Sequence, residues 1–207
     1  MALKIYGVAR SRAFRTLWMA GEVGLAYEHI KIDFADGGTR RAEYLAVNPN
    51  GHVPAIDDNG FRLWESMAIN LYLAKKYGDT AGLYPQSLED EARAWQWSFW
   101  GMTEVERPAL SLLLNRIGPE DRRDAAASDE AERALAAPLK VLDAAVSATP
   151  YLLGQRFTVA DLNVASILAW ARQARINLAP FPEAEAWLKT CHDRPAAEAA
   201  RHLQREG

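Results

Sequence analysis

Residues 48–70 read NPNGHVPAIDDNGFRLWESMAIN, and the order of residue types in this stretch decides the fold. Two short apolar runs, Val53–Ile56 and Phe61–Trp64, flank Asp57-Asp58-Asn59-Gly60, whose turn-forming residues predict a β-hairpin. The first run opens on Val53-Pro54. Proline has no N–H to give to a ladder, and X-Pro bonds alone become cis at modest cost. A cis bond here turns the main-chain N–H and C=O of Val53 outward, where an extended peptide can pair with them. After the second run come Glu65 and Ser66, then a helical pattern of Met67, Ile69, Asn70, Leu71, Leu73, Ala74 and Tyr77. Glu65 and Ser66 therefore sit where the first N–H groups of a helix attract an anion. The span offers main-chain pairing for a peptide and, close by, a hydroxyl, a carboxylate and a helix end for its charged terminus. Taken piece by piece, an ordinary hairpin with a serine-capped helix accounts for the same residues.

Upstream, Leu3–Tyr6 reads as a first strand closed by Gly7, and the chain turns helical from Ser11, with Phe14, Leu17, Trp18 and Val23 as its stripe and Gly24 as a stop signal. Tyr27–Ile32 alternates as a second strand, and Asp33–Val47 predicts a loop with a short helix. The order β-α-β-α-β-β-α is that of a thioredoxin-like unit, one sheet with helices on both faces. Gly78–Leu88 has the composition of a linker, and no strand is predicted beyond it. Helical patterns follow over about 89–115, 129–148 and 158–174, with shorter pieces at 183–192 and 195–204. Pro138 predicts a kink or restart, and Ala125-Ala126-Ala127 a mobile turn. The expected domains are thus an α/β unit over 1–79 and an all-α unit over 88–207.

The 207 residues carry a net charge of −3, which leaves no basic footprint for nucleic acid. A single cysteine, Cys191, excludes an intrachain disulfide and any CxxC pair, and the four histidines show no metal-ligand spacing. No apolar tract is long enough to span a bilayer, and MALKIYGVAR lacks a secretory h-region, so no membrane association is expected and the cytoplasm is the expected compartment. Seven tryptophans announce aromatic walls in a core or a pocket. Thr158 and Asp161 form a capping-box pattern, for which a structural role is expected.

NPNGHVPAI followed by Glu-Ser opening a helix resembles the glutathione-binding half of the cytosolic glutathione S-transferases, and the α/β unit followed by helices extends that resemblance over essentially the whole chain. The resemblance implies glutathione as co-substrate, no metal, a hydrophobic electrophile as second substrate and a homodimer engaged in detoxification. It also implies that Val53 pairs through its backbone with the cysteinyl part, with Pro54 cis, and that Ser66 and its N–H hold the γ-glutamyl carboxylate while Glu65 takes the ammonium. His52 stands where many relatives have Lys, Arg or Gln near the glycyl carboxylate. It donates one hydrogen bond as a neutral imidazole but carries no full charge. Arg12 and Arg40 serve equally well as further contacts or as solvated surface charges.

Such an enzyme must hold its substrate's thiol as thiolate. A free thiol has a pKa of about 8.5, and lowering it by two units needs about 2.7 kcal/mol. One charge-assisted hydrogen bond together with a helix N-terminus is of that size. Ser11, in ARSRAFRTLW, occupies the place where the first strand gives way to the first helix, and it resembles the sulfur-holding serine of the serine-type (theta-like bacterial) branch. A plain helix cap needs the same position. Tyr6 is the second choice, at the place of the tyrosine in alpha, mu and pi-type members. No cysteine lies between Tyr6 and Phe14, which counts against the thiol–disulfide branches. The electrophile pocket is expected between the loop after the first strand and the first long helix of the second unit. There Trp97, Trp100 and Glu104 share one face at helical spacing, and Trp95, Phe99, Met102 and Glu106 share another. A non-catalytic carrier or adaptor on the same fold, and a glutathione-dependent isomerase or dehalogenase, are the alternative readings.

Overall fold

The computed structural model of the chain describes residues 3–205. It divides into two units: one reaches to Tyr84 and takes in the segment from Asp193 onward, and the other runs over Pro85–His192.

The first unit is built on a four-stranded sheet in the order β2-β1-β3-β4, formed by β1 (Leu3–Tyr6), β2 (Tyr27–Ile30), β3 (Ala55–Asp58) and β4 (Phe61–Trp64). β2 is parallel to β1, and β3 is antiparallel to both β1 and β4. α1 (Ala13–Glu22) and α3 (Ser66–Tyr77) pack on each other and on the sheet, and the short α2 (Ala42–Leu45) follows a 3-10 turn at Gly38–Arg40. The hairpin turn is narrower than the four residues expected. Asp58 pairs with Phe61, and Asn59 and Gly60 alone make the turn with φ of 56° and 92°. Both central residues at positive φ is the two-residue turn whose twist matches the flanking strands. The apolar pattern starts the third strand at Val53, but the ladder begins at Ala55, beyond the proline that has no N–H for it. β2 likewise ends at Ile30 rather than Ile32.

Register sorts the side chains by face. Residues directly opposite in a ladder share a side. Lys4, Tyr6, Glu28, Ala55, Asp57, Arg62 and Trp64 therefore lie on one face, while Ile5, His29, Ile56, Asp58 and Phe61 lie on the other. The second face meets α3. Asp58, at 3% exposure, accepts from the hydroxyls of Tyr72 (2.7 Å) and Tyr77 (2.8 Å) and from Lys76 Nζ (2.7 Å). This cluster fastens the hairpin tip to the last turns of α3. α9 (Pro195–Arg205), which its place in the sequence groups with residues 88–207, packs on α1. Arg194, just before it, grips the Glu22 carboxylate with Nε and Nη2, both at 2.7 Å.

The second unit is helical: α4 (Leu88–Trp100), α5 (Glu106–Ile117), α6 (Ala125–Val146), α7 (Val159–Gln173) and α8 (Pro182–His192). Its axis is α7, buried throughout Val159–Ala171. Thr158 and Asp161 close the capping box, and Asp161 also accepts from Leu152 N–H and Trp187 Nε1. Burial raises the Asp161 carboxyl against the pull of these donors. One expectation is corrected here and another narrowed. Ala125-Ala126-Ala127 is the first turn of α6, not a mobile turn: Asp124 caps the Ala126 and Ala127 N–H groups, and alanine has the highest helix propensity. Pro138 does not restart the helix, because α6 runs through it with Leu135, Leu139 and Leu142 buried around it. One lost hydrogen bond is outweighed by that apolar face. Among the described residues no helix is long and apolar enough to cross a membrane.

Burial raises the Asp58 carboxyl, but Lys76, Tyr72 and Tyr77 more than reverse it, from an ordinary 3.8 down to about 2. A depressed carboxylate pKa contributes stability above the unfolded value and loses it as pH falls through the folded one, worth about 2 kcal/mol here. Asp58→Asn is expected to lower the urea midpoint at neutral pH, with the gap from wild type closing below the ordinary carboxylate value. A gap that persists unchanged in acid contradicts this.

Candidate functional site

The β1–α1 connection is held along its backbone. His29 reaches the Gly7 C=O from Nε2 at 2.8 Å, Val8 N–H donates to Ile32 C=O at 3.1 Å, and Gln204 Nε2 donates to Ala9 C=O at 3.0 Å. Within this frame the half-buried Ser11 has both halves of its hydroxyl engaged. Its Oγ donates to Val8 C=O at 2.7 Å and accepts from Ala13 N–H at 3.1 Å. The expected helix start at Ser11 is two residues early, since α1 begins at Ala13. Ser11 nevertheless performs the capping bond, because Arg12 in the cap position makes none with its side chain.

Gly7 ties this connection to the hairpin. At φ +125° a Cβ on Gly7 would lie 2.8 Å from Val53 Cβ and 2.9 Å from Ala13 Cβ. The start of α1 and the Val53-Pro54 segment thus close on one backbone atom. The Val53-Pro54 bond is cis. Neither the N–H nor the C=O of Val53 is paired among the described residues. The preceding loop is tied down at His52, whose C=O accepts from Tyr44 Oη (2.6 Å) and Asn48 Nδ2 (2.7 Å), while the His52 ring itself is exposed.

The other strand of the hairpin delivers Glu65 and Ser66. Glu65 is the N-cap of α3 with φ 74° and ψ 113°, a conformation costing about 1–3 kcal/mol for a residue with a side chain. Such strain is found where a backbone must present groups to a ligand. The first intrahelical bond runs from Ile69 N–H to Glu65 C=O, so the N–H groups of Ser66, Met67 and Ala68 form the positive end of α3. Glu65 is exposed, whereas Ser66 is 4% exposed and accepts from Arg15 Nη1 at 3.3 Å. That contact connects α1, one turn after Ser11, with the first residue of α3.

Tyr6 ends β1, next to Gly7. It lies on the sheet face opposite α3, its ring 5.9 Å from that of Tyr44. Burial raises its phenol above the ordinary 10.0, with Lys4 pulling the other way. A raised phenol is a weaker donor for a thiolate. Arg40 is exposed and reaches Asn50 C=O at 3.4 Å, beside Gly51. Arg15, Tyr44 and Asn48 were not singled out in the sequence, and Gly7 was read there only as the close of the first strand. The signal for Arg15 was an arginine at the start of a helix, where the dipole favours an acid.

In the second unit Trp97 and Trp100 form a half-buried edge-to-face pair, centroids 5.0 Å apart at 83°. The grouping by helical spacing does not survive past Trp100. Gly101–Val105 is a π-turn in which Glu106 N–H donates to Gly101 C=O, five residues back. Pro108 has no N–H for the Glu104 carbonyl, and the wider turn accommodates that gap. Glu104 is consequently exposed and Glu106 buried, while Trp95 and Phe99, expected on the face of Glu106, are 43% and 68% exposed. No group of three or more His, Cys, Asp or Glu among the described residues could hold a metal ion.

Residues 1–75 match the family described as glutathione S-transferase, N-terminal domain, and residues 105–195 match its C-terminal domain. The chain belongs to the glutathione S-transferase family. Glutathione S-transferase 3 of Zea mays is 33% identical, covering 94% of this chain and 90% of its own length. Glutathione S-transferase GstB of Escherichia coli is 31% identical over 84% of this chain and 85% of its own. Among solved structures, the theta class glutathione S-transferase of Xanthomonas axonopodis pv. citri with glutathione bound has a TM-score of 0.89 and 33% identity, covering 96% of each chain. The chain is thus an enzyme of the glutathione transferase kind, on the thioredoxin-like plus all-α fold of that family.

Gly7→Ala is expected to lose glutathione binding and at least about 2 kcal/mol of stability, because two Cβ atoms on rigid elements must move aside. Calorimetric titration and thermal unfolding check this; a variant that binds like wild type contradicts the packing described.

Proposed function

We infer that the protein transfers glutathione to an apolar electrophile, with Ser11 as the thiolate donor, after the manner of the serine-type, theta-like branch. The observation that carries this reading is Gly7, packed between Val53 Cβ and Ala13 Cβ, which sets the unpaired main chain of Val53 beside the start of α1. In this reading glutathione lies extended along Val53. Its γ-glutamyl carboxylate is on the Ser66 hydroxyl and the first N–H groups of α3, its ammonium is on Glu65, and its glycyl end is toward His52.

With the cysteinyl part paired to Val53, the sulfur comes to Ser11. The hydroxyl proton swings from Val8 C=O to the sulfur while Ala13 N–H continues to donate to Oγ, which strengthens Oγ–H as a donor. The thiol proton leaves to solvent. The sulfur then uses a lone pair to bond the electrophilic carbon, and the leaving group departs with the electrons of its own bond. Removing one such donor costs about 1.5–3 kcal/mol of anion stabilisation, or one to two pKa units. Tyr6 is excluded as the donor in this account by its face of the sheet and its raised phenol.

The second substrate is an electrophile with an apolar body, for which the Trp97–Trp100 pair is the aromatic surface that the second unit offers. The working form is a homodimer in the cytoplasm. Exposed large apolar side chains in both units support it: Phe61 and Trp64 in the first, Leu88, Trp95 and Phe99 in the second.

The ultraviolet thiolate band of bound glutathione tests the donor. Wild type is expected to show it near neutral pH, Ser11→Ala to raise the bound thiol's pKa by one unit or more, and Tyr6→Phe to leave it in place. The reverse pattern contradicts the assignment, and binding with no thiolate in wild type assigns a carrier role instead. Sedimentation at micromolar concentration is expected to give a dimer; a monomer contradicts the proposed assembly.

A further inference from the structure

Arg15 lies on α1 at 1% exposure, a guanidinium on a helix whose other buried residues, Thr16 apart, are apolar. Burying this charge is costly unless hydrogen bonds hold it, so its partners define why it is there. One of them is Ser66 Oγ, 3.3 Å from Nη1 and itself buried at the first position of α3. Arginine has only donors. Ser66 Oγ must therefore accept from it, and the serine's own proton remains to be donated elsewhere. A hydroxyl that accepts from a cation is also a stronger donor. The direction left for that proton is the N-terminal end of α3, where an anion is favoured.

Arg15 is also the third residue of α1, which opens two residues after Ser11. Its side chain thus runs from the helix that follows the proposed thiolate donor to the helix that starts at the proposed carboxylate anchor. The sulfur and the γ-glutamyl carboxylate of glutathione are separated by a fixed run of covalent bonds, so the two anchors must keep a matching separation.

We propose that Arg15 is a positioning residue for glutathione: it orients the Ser66 hydroxyl as a proton donor to the γ-glutamyl carboxylate and sets the spacing between that anchor and Ser11. This rests on the reading of Ser11 and Ser66 given above. The charge it contributes adds to the positive end of α3 and favours the same anion. Without it, Ser66 Oγ–H turns back to a neighbouring acceptor, as serine hydroxyls near helix starts do.

The test uses two probes without a free thiol, so that thiolate formation does not enter: S-hexylglutathione, and S-hexylcysteinylglycine, which lacks the γ-glutamyl group. Arg15→Gln is expected to weaken S-hexylglutathione binding about tenfold or more, the size of one charge-assisted bond. It is expected to change binding of the dipeptide probe less than about threefold. In the Ser66→Ala background the same substitution is expected to cost less than about threefold for either probe, since the hydroxyl it acts through is gone. Arg15→Lys keeps the charge but not the fork, and is expected to keep the thermal midpoint closer to wild type while losing affinity for S-hexylglutathione selectively. If Arg15→Gln does not fold, Arg15→Lys carries the test. Equal loss for both probes, or S-hexylglutathione affinity within twofold of wild type in the folded variant, overturns the proposal. If Ser66→Ala alone leaves S-hexylglutathione binding unchanged, the glutathione reading of Ser66 falls as well; if only the Arg15 variants are silent, that reading stands and this inference fails.

Discussion

The first unit depends on the convergence of two helix starts. α1 and α3 each begin at the same corner of the sheet, and each start presents N–H groups with a partial positive charge. Two like-signed ends are held together by packing and hydrogen bonds: Gly7 between Val53 and Ala13, and Arg15 reaching from α1 to Ser66. The hairpin is fastened at its far end by Asp58 to Tyr72, Tyr77 and Lys76, which fixes β3 and β4 against α3. Between them these contacts shape the corner where we propose that a peptide-like molecule carrying a thiol and a carboxylate binds.

The energetic demand that the proposed role places on this corner is modest. Holding a thiol as thiolate near neutral pH takes about 2.7 kcal/mol, well within the reach of one hydroxyl and a helix end acting in a partly dehydrated place. What takes more of the chain is geometry. Glu65 is kept at φ 74° and Gly7 at φ +125°, and the connection between β1 and α1 is pinned from β2 by His29 and from α9 by Gln204. The C-terminal segment thereby takes part in the first unit, with Arg194 on Glu22 and Gln204 on Ala9.

Much of this was legible in the sequence because the signals are local. Val53-Pro54, a hairpin turn within residues 57–60 and Glu65-Ser66 follow from turn chemistry and helix-start preferences within a few residues of each other. The fold class followed from the alternation of strand and helix patterns before Gly78 and their replacement by helices after it. What was missed depends on contacts distant in sequence. Arg15 looks like a surface charge until Ser66 is seen beside it. Gln204 lies near the end of a polar helix with no mark of its partner, Ala9. The grouping of Glu104 with Trp97 and Trp100 assumed one unbroken α-helix, and the π-turn before Pro108 removes that assumption. Alanines 125–127 were misread because composition without a cap looks like a flexible turn; Asp124 supplies the cap.

The most direct measurement of the central claim is the crystal structure of the protein with glutathione bound. The account predicts the sulfur within hydrogen-bond reach of Ser11 Oγ, the cysteinyl main chain paired with Val53, and the γ-glutamyl carboxylate on Ser66 at the start of α3. Glutathione seated with its sulfur at Tyr6, or with its γ-glutamyl end away from Glu65 and Ser66, would contradict it.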